Sequence, residues 1–307
     1  LKIHSYNEWD PLKSIIVGSA RHANWPTQDP VFAQESEKTL WKETPVPAGP
    51  VPNWIIDEAE AELDDLANKL TDLGVEVHRP TTMDFVALNG MYNYCPRDRL
   101  LVAGTTIVDP AMMYPCRDME LAAYYDVVDA AERYLHMPRN EGMTLDAANV
   151  CRLNDTWLYL ESASGNRAAY DWLCKQFPEI TIELCNFYAG VHIDSTIVPL
   201  REGLVIVNAA RVTPDTLPRA FEGWEVLYVD YVIEQDFYQY PYASKWIALN
   251  MLVVDPHTVV VDQDQKLLIR ELEKNHGFTV IPHKLSHSRT LGGGFHCVTL
   301  DLWREHA

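Results

Sequence analysis

The sequence predicts an α/β protein built from one small strand–strand–helix–strand unit, used about five times in a radial or solenoid arrangement. Three observations lead there. Short apolar runs of strand length recur along the chain, each bounded by Gly, Asp, Ser or Asn. Most are followed by a helical pattern and then by a second alternating run. No linker-like stretch separates two halves, so residues 1–307 are expected to form a single domain.

The apolar runs are Leu12–Gly18, Leu100–Val108, Thr156–Leu160, Leu204–Val207 and Thr258–Val261. Their length and boundaries fit buried or half-buried strands. Residues 54–73 give the clearest helix, with Ile55, Ala59, Leu63, Leu66, Leu70 and Leu73 on one face and Asp/Glu on the other. Gly74 stands where a helix stops in a left-handed residue, and the run Val75–Pro80 follows directly. Equivalent helix-then-strand pairs are 167–177 with Ile180–Leu184 and 266–275 with Phe278–Pro282. A shorter one precedes Trp224–Val229. Several units open with a further short strand, at Asn149–Leu153, Ile193–Leu200 and Trp246–Val254. The Pro-rich patch Thr44–Pro52 reads as a surface loop, because proline blocks both helix and ladder bonding.

Composition narrows the function. With 47% apolar residues in 307, the chain can bury a large core. Lys+Arg 25 against Asp+Glu 44 leaves a net charge of −19, which repels phosphate backbones and attracts cationic small molecules. No run approaches the roughly 20 apolar residues of a membrane span. The first residues, LKIHSYNEWD, show neither a signal-peptide apolar core nor an Arg-rich transit pattern, so a cytoplasmic location is expected. The six cysteines (95, 116, 151, 174, 185 and 297) have neither metal-type spacing nor the density of a disulfide scaffold.

The segment from Ser286 to Asp301 stands out, because three consecutive glycines precede His296 and Cys297. Such a run makes sense where backbone turns tightly or approaches a ligand closely. Cys297 then reads either as a thiolate nucleophile on that loop or as a buried inert thiol. Zinc is a competing chemistry for His283, His287, His296 and Cys297. However, four residues of strand rise about 13 Å, too far for His283 and His287 to share one ion. In a strand, His192 and Asp194 of Val191-His-Ile-Asp194 share a face, as a general acid/base beside a cation-binding carboxylate would. A surface histidine near a carboxylate is the ordinary alternative. Asp146, in Leu145-Asp-Ala-Ala-Asn149, reads as a turn residue or as the group orienting His192. Asp98, in Pro96-Arg-Asp98, is likewise a turn carboxylate or a site residue. Cysteine, histidine and carboxylates without a phosphate loop favour acyl- or amidino-type transfer over phosphoryl or hydride transfer.

Taken together, these segments resemble the arginine-dependent amidinotransferases of the guanidino-group-modifying superfamily. The resemblance runs through Ser5-Tyr-Asn-Glu-Trp-Asp-Pro-Leu12, Ile15-Ile-Val-Gly18, Pro96-Arg-Asp98 and Asp146-Ala-Ala-Asn149. It continues through His192-Ile-Asp194, Ser244-Lys-Trp246 and Leu291-Gly-Gly-Gly-Phe-His-Cys297, so it spans nearly the whole chain in the family's order. It implies a five-bladed ββαβ α/β propeller, in accord with the repeat. It also implies Cys297 as nucleophile, His192 as general acid/base and Asp146 as its partner. Asp98 and Asp194 resemble the carboxylates that hold the guanidinium, and Arg211 and Ser244 the contacts to the α-carboxylate end of arginine. The reaction implied is ping-pong transfer of the amidino group of L-arginine to an amine, with release of ornithine and no metal or organic cofactor. Relatives imply a dimer, and no nucleic-acid or membrane partner.

The motifs around Asp194 and His287–Cys297 are most similar to bacterial enzymes that amidinate aminocyclitol phosphates, with glycine-accepting enzymes more distant. Two departures bear on the acceptor. Only the ten residues His136–Leu145 separate a helix expected to end near Leu135 from Asp146, where relatives carry a longer insertion. Ala243 replaces a small polar residue before Ser244. Glycine, lysine, an aminocyclitol phosphate and other amines therefore all stay open as acceptors. A deiminase-like cysteine hydrolase and a non-catalytic arginine-binding protein are the alternatives.

Overall fold

The computed structural model describes residues 1–26, 28–38 and 47–306, the side chains of 35–38 excepted. Residues 44–46 of the Pro-rich patch lie outside the described residues. Its remainder includes strand β3 (Gly49–Pro50), which pairs with β2 (Asn24–Trp25) in a small two-stranded sheet.

Five three-stranded sheets carry the rest, and all five repeat one connectivity. In the first, β1 (Leu12–Val17) is the middle strand and runs parallel to β4 (Glu76–His78) after the helical crossover α2 (Asn53–Asp72). The second holds β5 (Leu101–Ala103), β6 (Thr106–Asp109) and β7 (Arg133–His136). The third holds β8 (Val150–Leu153), β9 (Thr156–Leu160) and β10 (Thr181–Cys185). The fourth holds β11 (Ile197–Arg201), β12 (Leu204–Asn208) and β13 (Glu225–Val229). The fifth holds β14 (Leu252–Asp255), β15 (Thr258–Asp262) and β16 (Thr279–His283). The last strand of the chain, β17 (Thr299–Arg304), returns to pair antiparallel with β1 and completes the first sheet. Each sheet thus has one antiparallel hairpin-like pair and one parallel pair.

Parallel pairing needs a crossover, and a helix is the usual way to make one; α2 follows α1 (Pro30–Lys38) and precedes the short α3 (Phe85–Leu88), α4 (Pro96–Arg99) and α5 (Tyr125–Ala130). Helix α2 shows how the sequence builds it. Ile55, Ala59, Leu63, Leu66 and Leu70 are buried at helical spacing. The helix stops where Gly74 takes φ +83°, with the Val75 amide donating to the Leu70 carbonyl. The buried face joins the same apolar core as Val17, Tyr94, Phe295 and Cys297. Sheet three is crossed by α6 (Arg167–Gln176), capped by the Asn166 side chain accepting from the Ala169 amide, and sheet five by α7 (Lys266–Asn275).

Several expected elements differ. Leu100–Val108 is a hairpin of two strands, because Gly104 at φ +63° turns the chain after Ala103. The stretch before His136 ends in strand β7 rather than a helix, the nearby helix having stopped at Ala130. Trp246–Leu249 forms a 3-10 turn, and strand structure starts only at Leu252. Residues 193–196 likewise precede β11 instead of belonging to it. Among the described residues, no helix is long and apolar enough to cross a membrane.

Candidate active site

A single topological position supplies the site. Asp98 stands just before β5, Asp146 before β8, His192 and Asp194 before β11, Asn250 before β14, and Cys297 before β17. These are the segments that enter the first strand of each sheet. The repeated connectivity therefore brings residues far apart in sequence to one end of the sheets.

Cys297 is buried, with its amide donating to Asn250 Oδ1 at 2.9 Å and its Sγ to Asp194 Oδ2 at 3.2 Å. The glycines before it earn their place sterically. Gly292 takes φ +86°, a Cβ on Gly293 would lie 2.5 Å from Cys95 Sγ, and one on Gly294 would lie 2.7 Å from Asn250 Cβ. Burial, reinforced by the Asp194 carboxylate, pushes the Cys297 thiol well above its ordinary range. In the free protein it is a thiol.

His192 lies between two carboxylates: Nε2 is 3.1 Å from Asp146 Oδ2, and Nδ1 is 3.6 Å from Asp98 Oδ1. Burial works against the imidazolium, but Asp98, Asp146 and Asp194 together outweigh it and raise His192 to about 9. Asp146 is fixed in turn by accepting from the Met113 amide at 2.8 Å. The strand expected across His192–Asp194 is absent, since His192 has φ +58°; the bend still turns both residues into the site.

Asp98 accepts from Arg117 Nη1 at 2.8 Å through Oδ2, while its buried Oδ1 has no hydrogen-bond partner among the described residues. Burial raises the Asp98 carboxyl against the pull of His192 and Arg117. Asp194 goes the other way. Burial works to raise it, but the hydrogen bond from His296 Nδ1 at 2.9 Å, the charges of His296 and His192 and a hydrogen bond from Asn250 together outweigh that and hold it at about 2. His296 also contacts Glu8 Oε2 at 3.2 Å, which ties the site to a buried ionic cluster of Glu8, Arg97, Arg152, Asp301 and Arg304.

A cavity of about 530 Å³ opens onto Cys297, His192 and Asp194. Its wall also includes Arg211, Ser244, Ala243 and the tyrosines 114, 188, 240 and 242. Arg211 donates to Thr196 Oγ1 at 2.8 Å and to Ser244 Oγ at 3.3 Å. Cys297, His192, Asp194, Arg211 and Ser244 thus meet on one wall, and Asp98 and Asp146 reach it through His192. The remaining histidines of the zinc alternative disperse: His287 contacts Glu58 and His283 faces Glu62 and Lys69, both against α2. Sequence reasoning missed Asn250, Arg117 and Tyr188. Only Asn250 carried a signal, namely its place just before an apolar strand.

A buried thiol, an imidazole held by carboxylates, and a further carboxylate facing the cavity suit covalent transfer of a cationic planar group. Comparison with known proteins identifies the class: the chain belongs to the amidinotransferases. It is 41% identical to inosamine-phosphate amidinotransferase 1 of Streptomyces griseus over 334 residues, covering 97% of this chain and 96% of that protein. It is 30% identical to the L-arginine:L-lysine amidinotransferase of Pseudomonas savastanoi pv. phaseolicola, covering 98% and 94%. The solved structure of the Streptomyces griseus inosamine-phosphate amidinotransferase superposes with a TM-score of 0.90 at 38% identity, covering 99% of this chain and 97% of that one. No protein-family model matches the sequence.

Proposed function

We propose that this amidinotransferase moves the amidino group of L-arginine to an acceptor amine through a covalent amidino-Cys297, releasing L-ornithine. The observation that carries the reading is the set of carboxylates Asp98, Asp146 and Asp194 around His192, with Asp194 also on the Cys297 thiol. In this reading residues 1–307 form one domain, with the five sheets as propeller blades around the site.

A guanidinium entering beside Asp98 and Asp194 brings a positive charge next to the thiol, which favours the thiolate; the thiol proton leaves to solvent. The sulfur attacks the central carbon and gives a neutral tetrahedral adduct. His192, carrying its proton, delivers it to the departing nitrogen. The C–N bond to ornithine breaks and a cationic amidino-thioether stays on Cys297. In the second half the acceptor amine attacks that carbon, His192 takes the proton it sheds, and the C–S bond breaks to return the thiolate. Asp146 fixes the imidazole, and Arg211 with Ser244 takes the α-carboxylate of the donor.

Incubation with arginine tests this, alone and with inosamine phosphate, lysine, glycine and other primary amines. Ornithine, citrulline and urea are quantified and the intact protein is weighed. The expected result is ornithine in the presence of one amine, together with an amidino mass increment lost in Cys297→Ala. Citrulline without an acceptor would instead place the protein with the hydrolases.

A further inference from the structure

We propose that Tyr188 is a positioning residue that fastens His192 and Arg211 into one unit, linking the proton-transfer group to the anion-binding end of the cavity. The inference rests on the reading of those two residues given above. Three features of the segment Tyr188–His192 carry it.

The Tyr188 hydroxyl lies against the carbonyls of Val191, at 2.9 Å, and of His192, and its one proton is shared between them. The backbone can fold over the ring in this way only because residue 190 is glycine: a Cβ there would lie 2.7 Å from Tyr188 Cε2. Closing the loop on its own tyrosine leaves His192 at φ +58°, a region that non-glycine residues seldom occupy. Its amide is held by Asn149 Oδ1 at 3.2 Å. The conformation that aims the imidazole between Asp98 and Asp146 is thus clamped from both sides.

The same ring carries Arg211, whose guanidinium carbon lies 4.2 Å from the ring centroid. Arg211 is mostly buried, and burial disfavours its charged form. Its hydrogen bonds go to the neutral hydroxyls of Thr196 and Ser244, and among the described residues it forms no ion pair. The π face of Tyr188 is therefore a principal compensation for this cation until an anionic ligand arrives. A substrate carboxylate that pulls on Arg211 acts on the ring whose hydroxyl sets the His192 backbone.

Tyr188→Phe removes the hydroxyl and keeps the ring, whereas Tyr188→Leu removes both. Two readouts apply to the full chain: titration of the His192 imidazole by NMR in the free protein, and kcat and KM for ornithine release. His192 faces Asp98, Asp146 and Asp194, with Arg117 behind Asp98, and loosening the loop moves the imidazole away from all three carboxylates. In Tyr188→Phe its midpoint is expected to fall toward the ordinary value of about 6.5. kcat is expected to fall by roughly ten- to a hundredfold, with KM for arginine changed by less than about threefold. Tyr188→Leu should add a rise of roughly tenfold or more in KM, because Arg211 loses its platform. A Phe variant with unchanged titration and unchanged kcat overturns the proposal. Should wild-type protein release no ornithine, the amidino-transfer reading fails, and the titration still decides whether Tyr188 places His192. If the Leu variant does not fold, the near-isosteric Phe variant carries the test.

Discussion

The proton on His192 sets a pH window for both chemistry and stability. Its value in the folded protein, about 9, lies above the ordinary one, so the charged form is favoured by folding. The stabilisation is complete below about 6.5 and is lost as pH rises through about 9. Denaturation midpoints measured across that interval should decline in the wild type and flatten in His192→Gln. In the proposed reaction, where the imidazolium serves as acid, release of ornithine should weaken over the same range. A second test at this scale concerns the glycine run. Gly293→Ala places a methyl against Cys95 Sγ and should lower kcat sharply by shifting Cys297. Adding Cys95→Ala opens that space and should restore most of the activity. Activity that stays low in the double variant would show that Gly293 is needed for another reason.

Among the elements, α2 ties stability to the site. Leu63 is fully buried in the core that also holds Cys297. Leu63→Ala should cost about 2–5 kcal/mol in urea unfolding, through lost burial and a residual cavity. Turnover well below the transition should stay near wild type, because α2 contributes no cavity-wall side chain among the described residues. The elements also show what the sequence could reveal. The apolar runs at 12–18, 204–207 and 258–261 correspond to middle strands of their sheets, buried on both faces, where a continuous apolar stretch is required. Helices α2, α6 and α7 were legible because each exposes a charged face over a crossover. The segments that carry the site were not. Residues 193–196 and 246–251 lead straight into apolar runs and read as part of those strands, yet they form bends, turns and 3-10 structure that aim side chains inward. Cys297, His192, Asp146, Asp98 and Asp194 stand out as candidates by motif; their convergence depends on contacts across as many as 103 positions, invisible to local pattern. Arg117 and Tyr188 sit in stretches with no pattern at all, and only geometry exposes them.

For the molecule as a whole, the buried ionic cluster joins parts of the chain that share no local structure. Arg152 pairs with Glu8 at 3.0 Å and with Asp301 at 2.8 Å, while Arg97 and Arg304 also meet Asp301. Arg152→Met leaves Glu8 and Asp301 with less compensation in a buried setting and should destabilise by about 3–5 kcal/mol in equilibrium unfolding. Because Glu8 also touches His296, the same variant should change the pH dependence of turnover. A variant as stable as wild type would show that the cluster redistributes its remaining charges without loss.

The return of β17 to β1 has a consequence for biosynthesis. Cys297 lies two positions before β17, and β1 gains its antiparallel neighbour only when that strand arrives. During synthesis the first sheet therefore keeps a bare edge on β1 until β17 has been made. Cys297 shares that timing, since it stands two positions before the strand. Chains cut off before Thr299 would leave β1 without its antiparallel partner, ready substrates for chaperones and proteases. Closure of the first sheet and completion of the candidate site thus fall at the same point of synthesis.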